Sequence, residues 1–142
     1  MSRSGYSDDY ADEIPGCLWR QAVRRATFGA RGQRFLRKLR DALDGMPTKR
    51  LITDVIRNEA GEVCALGALD PSAPQEPEEV AAHFGIARVL ASEIVYMNDE
   101  YPSWWRVHDE TPEQRWTRMR TWVDEQIVRD KPESVGAVDP DA

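Results

Sequence analysis

Side chains able to recognise a flat, anionic ligand gather between positions 98 and 120: Asn98, Asp99, Tyr101, Trp104, Arg106, Arg115, Arg118 and Arg120. A guanidinium grips a phosphate with paired N–H donors, an aromatic ring stacks on a base, and an asparagine amide reads a base edge. Trp104 and Trp105 stand side by side in a polar stretch, where two indoles are costly to leave in water unless they pack or bind. The same residues admit another reading, a tryptophan-rich small core with arginines laid over it through cation–π contacts. On a helical projection Arg115 and Trp122 share one flank of an apolar stripe, while Arg118 points away from it.

Catalytic chemistry is poorly served elsewhere. His83 and His108 lie apart and no Cys-x-x-Cys or His-x3-His pair occurs, so a zinc site lacks closely spaced ligands. Cys64 with a histidine would make a thiol nucleophile, but its neighbours Val63, Ala65 and Leu66 suit a small buried apolar residue better. The glycine-rich loops that cradle phosphates in nucleotide-hydrolysing and dinucleotide enzymes are missing. Glu93 projects among Ile86, Val89, Leu90 and Met97, where a carboxylate calls for an internal ion pair. The expectation is a protein that binds rather than catalyses, with no metal and no cofactor.

Charge is segregated along the chain. Between Cys17 and Arg40 stand eight basic residues and no acid, and with a net charge of -6 the remainder sums to -14. Such a run can neutralise phosphates, with Trp19 and Phe28 available to stack on bases. It is also what the solvent side of an amphipathic helix looks like, and the chain as a whole is acidic, so nucleic acid is the lesser expectation.

The elements that must hold these groups read as α+β, mainly α: four to five helices and one short antiparallel β-hairpin. A helix around Leu18–Phe28, with Leu18, Trp19, Ala22 and Val23 inward, precedes one whose stripe is Phe35, Leu36, Leu39, Leu43 and Met46, ended by Gly45 and Pro47. Lys49–Ile56 and Glu62–Leu69, either side of Asn58-Glu59-Ala60-Gly61, read as the hairpin. Gly67 within it marks a bulge, or a place where another backbone or a ligand comes close. Helices over Glu78–Phe84 and Ile86–Met97 follow, split at Gly85, and Asn98–Glu110 reads as a loop. Thr111, Pro112, Glu113 and Gln114 spell a capping box opening a final helix to about Val128, with Trp116, Met119, Val123 and Ile127 on one face.

A length of 142 residues suits one globular domain over 16–129, between a flexible acidic tail at 1–15 and a second tail at 130–142. No apolar run approaches the ~20 residues of a membrane span, and the first residues lack a secretory signal, so a cytoplasmic protein with reduced cysteines is expected.

Lys49-Arg50-Leu51-Ile52, Gly61-Glu62-Val63-Cys64-Ala65-Leu66-Gly67-Ala68, Glu93-Ile94-Val95-Tyr96-Met97-Asn98-Asp99-Glu100 and Thr111-Pro112-Glu113-Gln114-Arg115-Trp116 resemble a group of small phage and prophage proteins. The resemblance runs from about Gly32 to Ile127. The order of helix, Val-Cys-Ala-Leu-Gly-Ala, helix ending in Asn-Asp and arginine-bearing helix is also similar to phage anti-Thoeris sponges, which sequester cyclic ADP-ribose-type signals without degrading them. That likeness implies ligand contacts from Asn98 and Arg115. Met119 stands where a second arginine belongs, leaving Arg118 or Arg120 to take its part, and Tyr96, Tyr101 and Trp104 are the candidates for base stacking.

The leading expectation is thus a phage or prophage anti-defence protein, a small homo-oligomer in the bacterial host cytoplasm, that sequesters a small anionic nucleotide signal. An inhibitor covering a host defence protein or CRISPR effector is the alternative, since tryptophan and arginine also mark interface hot spots. A nucleic-acid-binding accessory using the 20–40 segment is the third.

Overall fold

The apolar stripe of Phe35, Leu36, Leu39 and Leu43 needs a surface on which to bury, and the other helices of the described residues supply it. The protein is seen in a computed structural model that describes residues 3–4, 16–101 and 104–129, with the side chains of 16–17 and 104–105 outside that description. Apart from Arg3 and Ser4, the expected tails at 1–15 and 130–142 also lie outside the described residues. The helices are α1 (Gly16–Phe28), α2 (Ala30–Asp44), α3 (Ala65–Leu69), α4 (Pro77–Phe84), α5 (Arg88–Asp99), α6 (Trp104–Asp109) and α7 (Pro112–Gln126).

Two helices organise the rest. α2 lies against α1, α3 and α7, and α5 against α1, α3, α4 and α7. Leu36, Leu39 and Leu43 from α2, Leu90 and Ile94 from α5, and Met119 and Val123 from α7 are all fully buried, so one core runs between the three. α7 opens as its sequence demands: the Thr111 hydroxyl accepts from the Gln114 N–H at 3.0 Å and the Gln114 amide accepts from the Thr111 N–H at 2.9 Å. α4 stops where Gly85 turns left-handed at φ 70°, a conformation costly for a residue with a Cβ.

The expected hairpin is absent: no strand occurs among the described residues, which are mostly helical rather than α+β. One antiparallel bridge, Arg57 to Val63, survives around the Asn58–Gly61 turn, supported by Cys64 N–H to the Ile56 carbonyl at 3.1 Å. The reason lies in Ala65-Leu66-Gly67-Ala68-Leu69. Alanine and leucine are strong helix formers without branched β-carbons, and α2 and α5 bury the run without regard to a two-residue period. The first half is bent by Asp54, whose positive φ of 76° is held by its N–H donating to the Asp99 carboxylate at 3.2 Å and its carbonyl accepting from Gln75 at 2.7 Å. Gly67 serves a close approach, because a Cβ there would stand 2.2 Å from the Ile56 carbonyl oxygen.

Three smaller differences follow from packing. Leu18, expected inward, is 50% exposed. The expected loop at Asn98–Glu110 is partly helical: α5 continues through Asp99, and α6 adds a turn and a half. Glu93 is half-buried at the edge of the core rather than enclosed by it.

Candidate functional site

Four of the eight residues expected to contact a ligand, Asn98, Asp99, Arg115 and Arg118, come together, but around one another. Asn98 is 1% exposed. Its amide oxygen accepts from the Ala65 N–H at 3.1 Å, and its amide nitrogen donates to the Ile52 carbonyl at 3.0 Å and to Asp99 Oδ1 at 2.8 Å. Asp99, also buried, accepts two further bonds from Arg3, at 2.6 and 3.0 Å. Burial opposes the Arg3 charge, yet the neighbouring Cys64 thiol and Asp99 together hold its guanidinium above the ordinary value. Ser4 Oγ donates to Glu100 at 2.6 Å, so both described residues of the N-terminal stretch are docked on the end of α5.

Arg115 is 5% exposed and donates to the carbonyls of Leu51 at 2.9 Å, Val107 and Glu110, with the Glu110 carboxylate 3.3 Å away. Burial pulls its pKa down and Glu110 works in the other direction. Arg118 holds the same carboxylate with two bonds and donates to the Met97 and Asn98 carbonyls. This assembly ties residues 3, 51–54, 65, 97–99 and 107–118 into one unit. It is a polar clamp on the fold, in which Asn98 and Arg115 are engaged largely by backbone, Asp99 by Arg3 and Arg118 by the Glu110 carboxylate.

The remaining expected residues do not join it. Arg120 pairs with Asp44 at 2.6 Å across α2 and α7, Arg106 faces solvent, and exposed Tyr101 meets Tyr96 edge-on at 6.3 Å. The Trp104 side chain lies outside the described residues. Trp116 packs on the core, donates from its indole to the Leu43 carbonyl at 3.1 Å and carries the Lys49 ammonium over its ring at 5.4 Å. The cation over this indole is Lys49, from outside the 98–120 stretch, rather than one of the arginines of the alternative reading.

Available charge lies on α2. Arg31, Arg34 and Lys38 follow one stripe of α2, are exposed, and make no ion pair among the described residues. They overhang a hollow of about 240 Å³ between α2 and α4, floored by Phe35 and Phe84, whose ring centroids are 5.3 Å apart. An adjoining hollow of about 350 Å³ shares Phe35, Phe84 and Lys38 and extends to Leu69, Asp70 and His83. There the His83 ring stands edge-on to Phe84 at 4.9 Å, with its Nε2 2.7 Å from Asp70 Oδ2. Ser72 donates to Asp70 Oδ1 from both backbone and hydroxyl, and with His83 it pulls the carboxyl down to about 2. A third hollow, about 450 Å³ beside Met46, Val63, Gly67 and Pro71, has Arg50 at its rim, already engaged by Glu62 and Glu113.

The basic run was visible in the sequence. Its neighbours in the groove, Asp70, His83 and Phe84, were not, because the approach of α4 to α2 joins residues some fifty positions apart and leaves no local pattern. Among the described residues no three His, Cys, Asp or Glu side chains are placed to hold a metal, and no single helix is long and apolar enough to cross a membrane. Comparisons with protein families, curated proteins and solved structures return no match.

Proposed function

We propose that this chain is a non-catalytic binding protein that captures a small phosphate-bearing nucleotide signal, the role suggested by its resemblance to phage sponges, and that its site is the groove between α2 and α4. One observation carries the reading: three cations without a carboxylate partner among the described residues stand over an aromatic floor. Arginines on most protein surfaces sit near acids, and residues 16–129 contain 17 basic and 17 acidic side chains, enough for general pairing. The pairing is uneven: acids serve Arg50, Arg115, Arg118 and Arg120, while among the described residues Arg31, Arg34 and Lys38 of α2, like Arg20, Arg24 and Arg25 of α1, make no ion pair. Guanidinium and ammonium donors beside an aromatic face suit a phosphate joined to a flat ring.

Calorimetry with cyclic di- and trinucleotides and cyclic ADP-ribose isomers tests this. Saturable heat with at least one of them is expected, and mass spectrometry should recover that ligand unchanged. No heat at micromolar protein removes the proposal, and a cleaved ligand removes sequestration.

A second reading is favoured by α1, where Arg20, Arg24 and Arg25 are exposed beside Phe28, which is 47% exposed. A single-stranded nucleic acid laid along α1 and α2 would stack on Phe28 and bind with an affinity falling steeply with salt. Oligonucleotide shifts that are absent or insensitive to salt remove it.

A further inference from the structure

The groove has two chemically opposite ends. Its α2 end presents only donors, from Arg31, Arg34 and Lys38. Its far end presents acceptors. The Asp70 carboxylate sits there, an acceptor-only group whose Oδ2 lies 2.7 Å from His83 Nε2. Phe84 lies between, with Phe35 behind it and Lys38 bordering both hollows. Arg31 and Lys38 are seven residues apart on one helical face, a span of about 10 Å at 1.5 Å per residue.

Resting on the binding reading above, we infer that the groove selects a nucleotide whose base carries an exocyclic amine. The phosphate lies among Arg31, Arg34 and Lys38, the ring lies on Phe84, and the amine donates to the Asp70 carboxylate, which His83 holds in place. Bases that offer a carbonyl at that position place acceptor against acceptor. A site whose polar groups are matched by a substrate N–H discriminates strongly against an analogue lacking it, since its own groups are then left unpaired.

The test uses the full chain and four probes in calorimetry: AMP, IMP, ribose 5-phosphate and adenosine. AMP should bind most tightly, IMP about tenfold or more weakly, ribose 5-phosphate weakly, and adenosine not measurably. Arg34→Glu should remove binding of both phosphate-bearing nucleotides. Asp70→Asn and His83→Ala should leave ribose 5-phosphate binding in place while narrowing the gap between AMP and IMP to less than threefold. All three positions are surface-exposed or half-buried, and unchanged circular dichroism separates loss of recognition from loss of fold. Equal affinities for AMP and IMP, or a gap unaffected by Asp70→Asn, overturn the inference. If cyclic nucleotides still bind in that event, the sequestering function stands; if neither they nor these probes bind, both proposals fall together.

Discussion

Replacing Asn98 with alanine separates a fold clamp from a ligand contact. Three hydrogen bonds disappear, to the Ala65 N–H, the Ile52 carbonyl and Asp99 Oδ1. Asp99 keeps Arg3 and the Asp54 N–H, so its loss is small. Ala65 is wholly buried, and water cannot replace the acceptor for its N–H, which costs about 1–3 kcal/mol. Ile52 is half-buried and adds about 1 kcal/mol. A destabilisation of about 3 kcal/mol follows, or a Tm lowered by roughly 10 °C at about 2–4 °C per kcal/mol for a chain of this size. Asn98→Asp sharpens the case. It retains the acceptor for Ala65 but sets a second carboxylate against Asp99 and the Ile52 carbonyl, which raises the pKa of the introduced group. A carboxyl with a raised folded value costs stability as pH climbs through its unfolded value, so the deficit of this variant should widen from acid to neutral pH. Urea denaturation followed by tryptophan fluorescence measures both. An Asn98→Ala protein within 1 kcal/mol of the parent that has lost nucleotide binding would refute the clamp and return Asn98 to the ligand.

Other perturbations test neighbouring parts. Gly67→Ala drives a methyl to 2.2 Å from the Ile56 carbonyl oxygen and 2.8 Å from Val63 Cβ, so urea denaturation should show a loss of about 3 kcal/mol. Thr111→Ala removes one half of the capping box of α7 and should cost about 1 kcal/mol in the same assay. The Asp70 carboxyl, held near 2 chiefly by His83 and then by Ser72, contributes stability that is complete above its unfolded value of about 3.9 and fades as pH falls toward 2. Its midpoint in a carbon-detected NMR titration should rise in His83→Ala, and an unmoved midpoint would place the cause elsewhere.

Helical periodicity was legible wherever apolar residues faced one partner. Phe35, Leu36, Leu39 and Leu43 were readable on α2, as were Met119, Val123 and Ile127 at the end of the chain, and the Thr111 capping box marked its boundary to the residue. The 65–69 run misled because it is short and holds no polar position: Ala65, Leu66 and Gly67 are buried, and Ala68 and Leu69 are half-buried. Periodicity carries no signal in such a run, and only the helix preference of alanine and leucine pointed to α3. Leu18 misled in the opposite way, being an apolar residue that the packing leaves in water.

The site is harder because residue type states what a group can bind, not what already binds it. Arg115 and Arg31 are chemically the same side chain. One lies under α6 with three carbonyls and a carboxylate around it, and the other overhangs a groove and makes no ion pair among the described residues. The sequence does hold a hint of that difference. Arg115 and Arg118 belong to a stretch that also holds Asp109, Glu110 and Glu113, whereas the run from Cys17 to Arg40 contains no acid at all. A cation among acids has a partner close at hand in the chain, while a cation in an acid-free run is paired only if tertiary packing brings a carboxylate to it. On α2 the packing brings Phe84, and Asp70 beyond it is already held by His83 and Ser72, so the charge stays available.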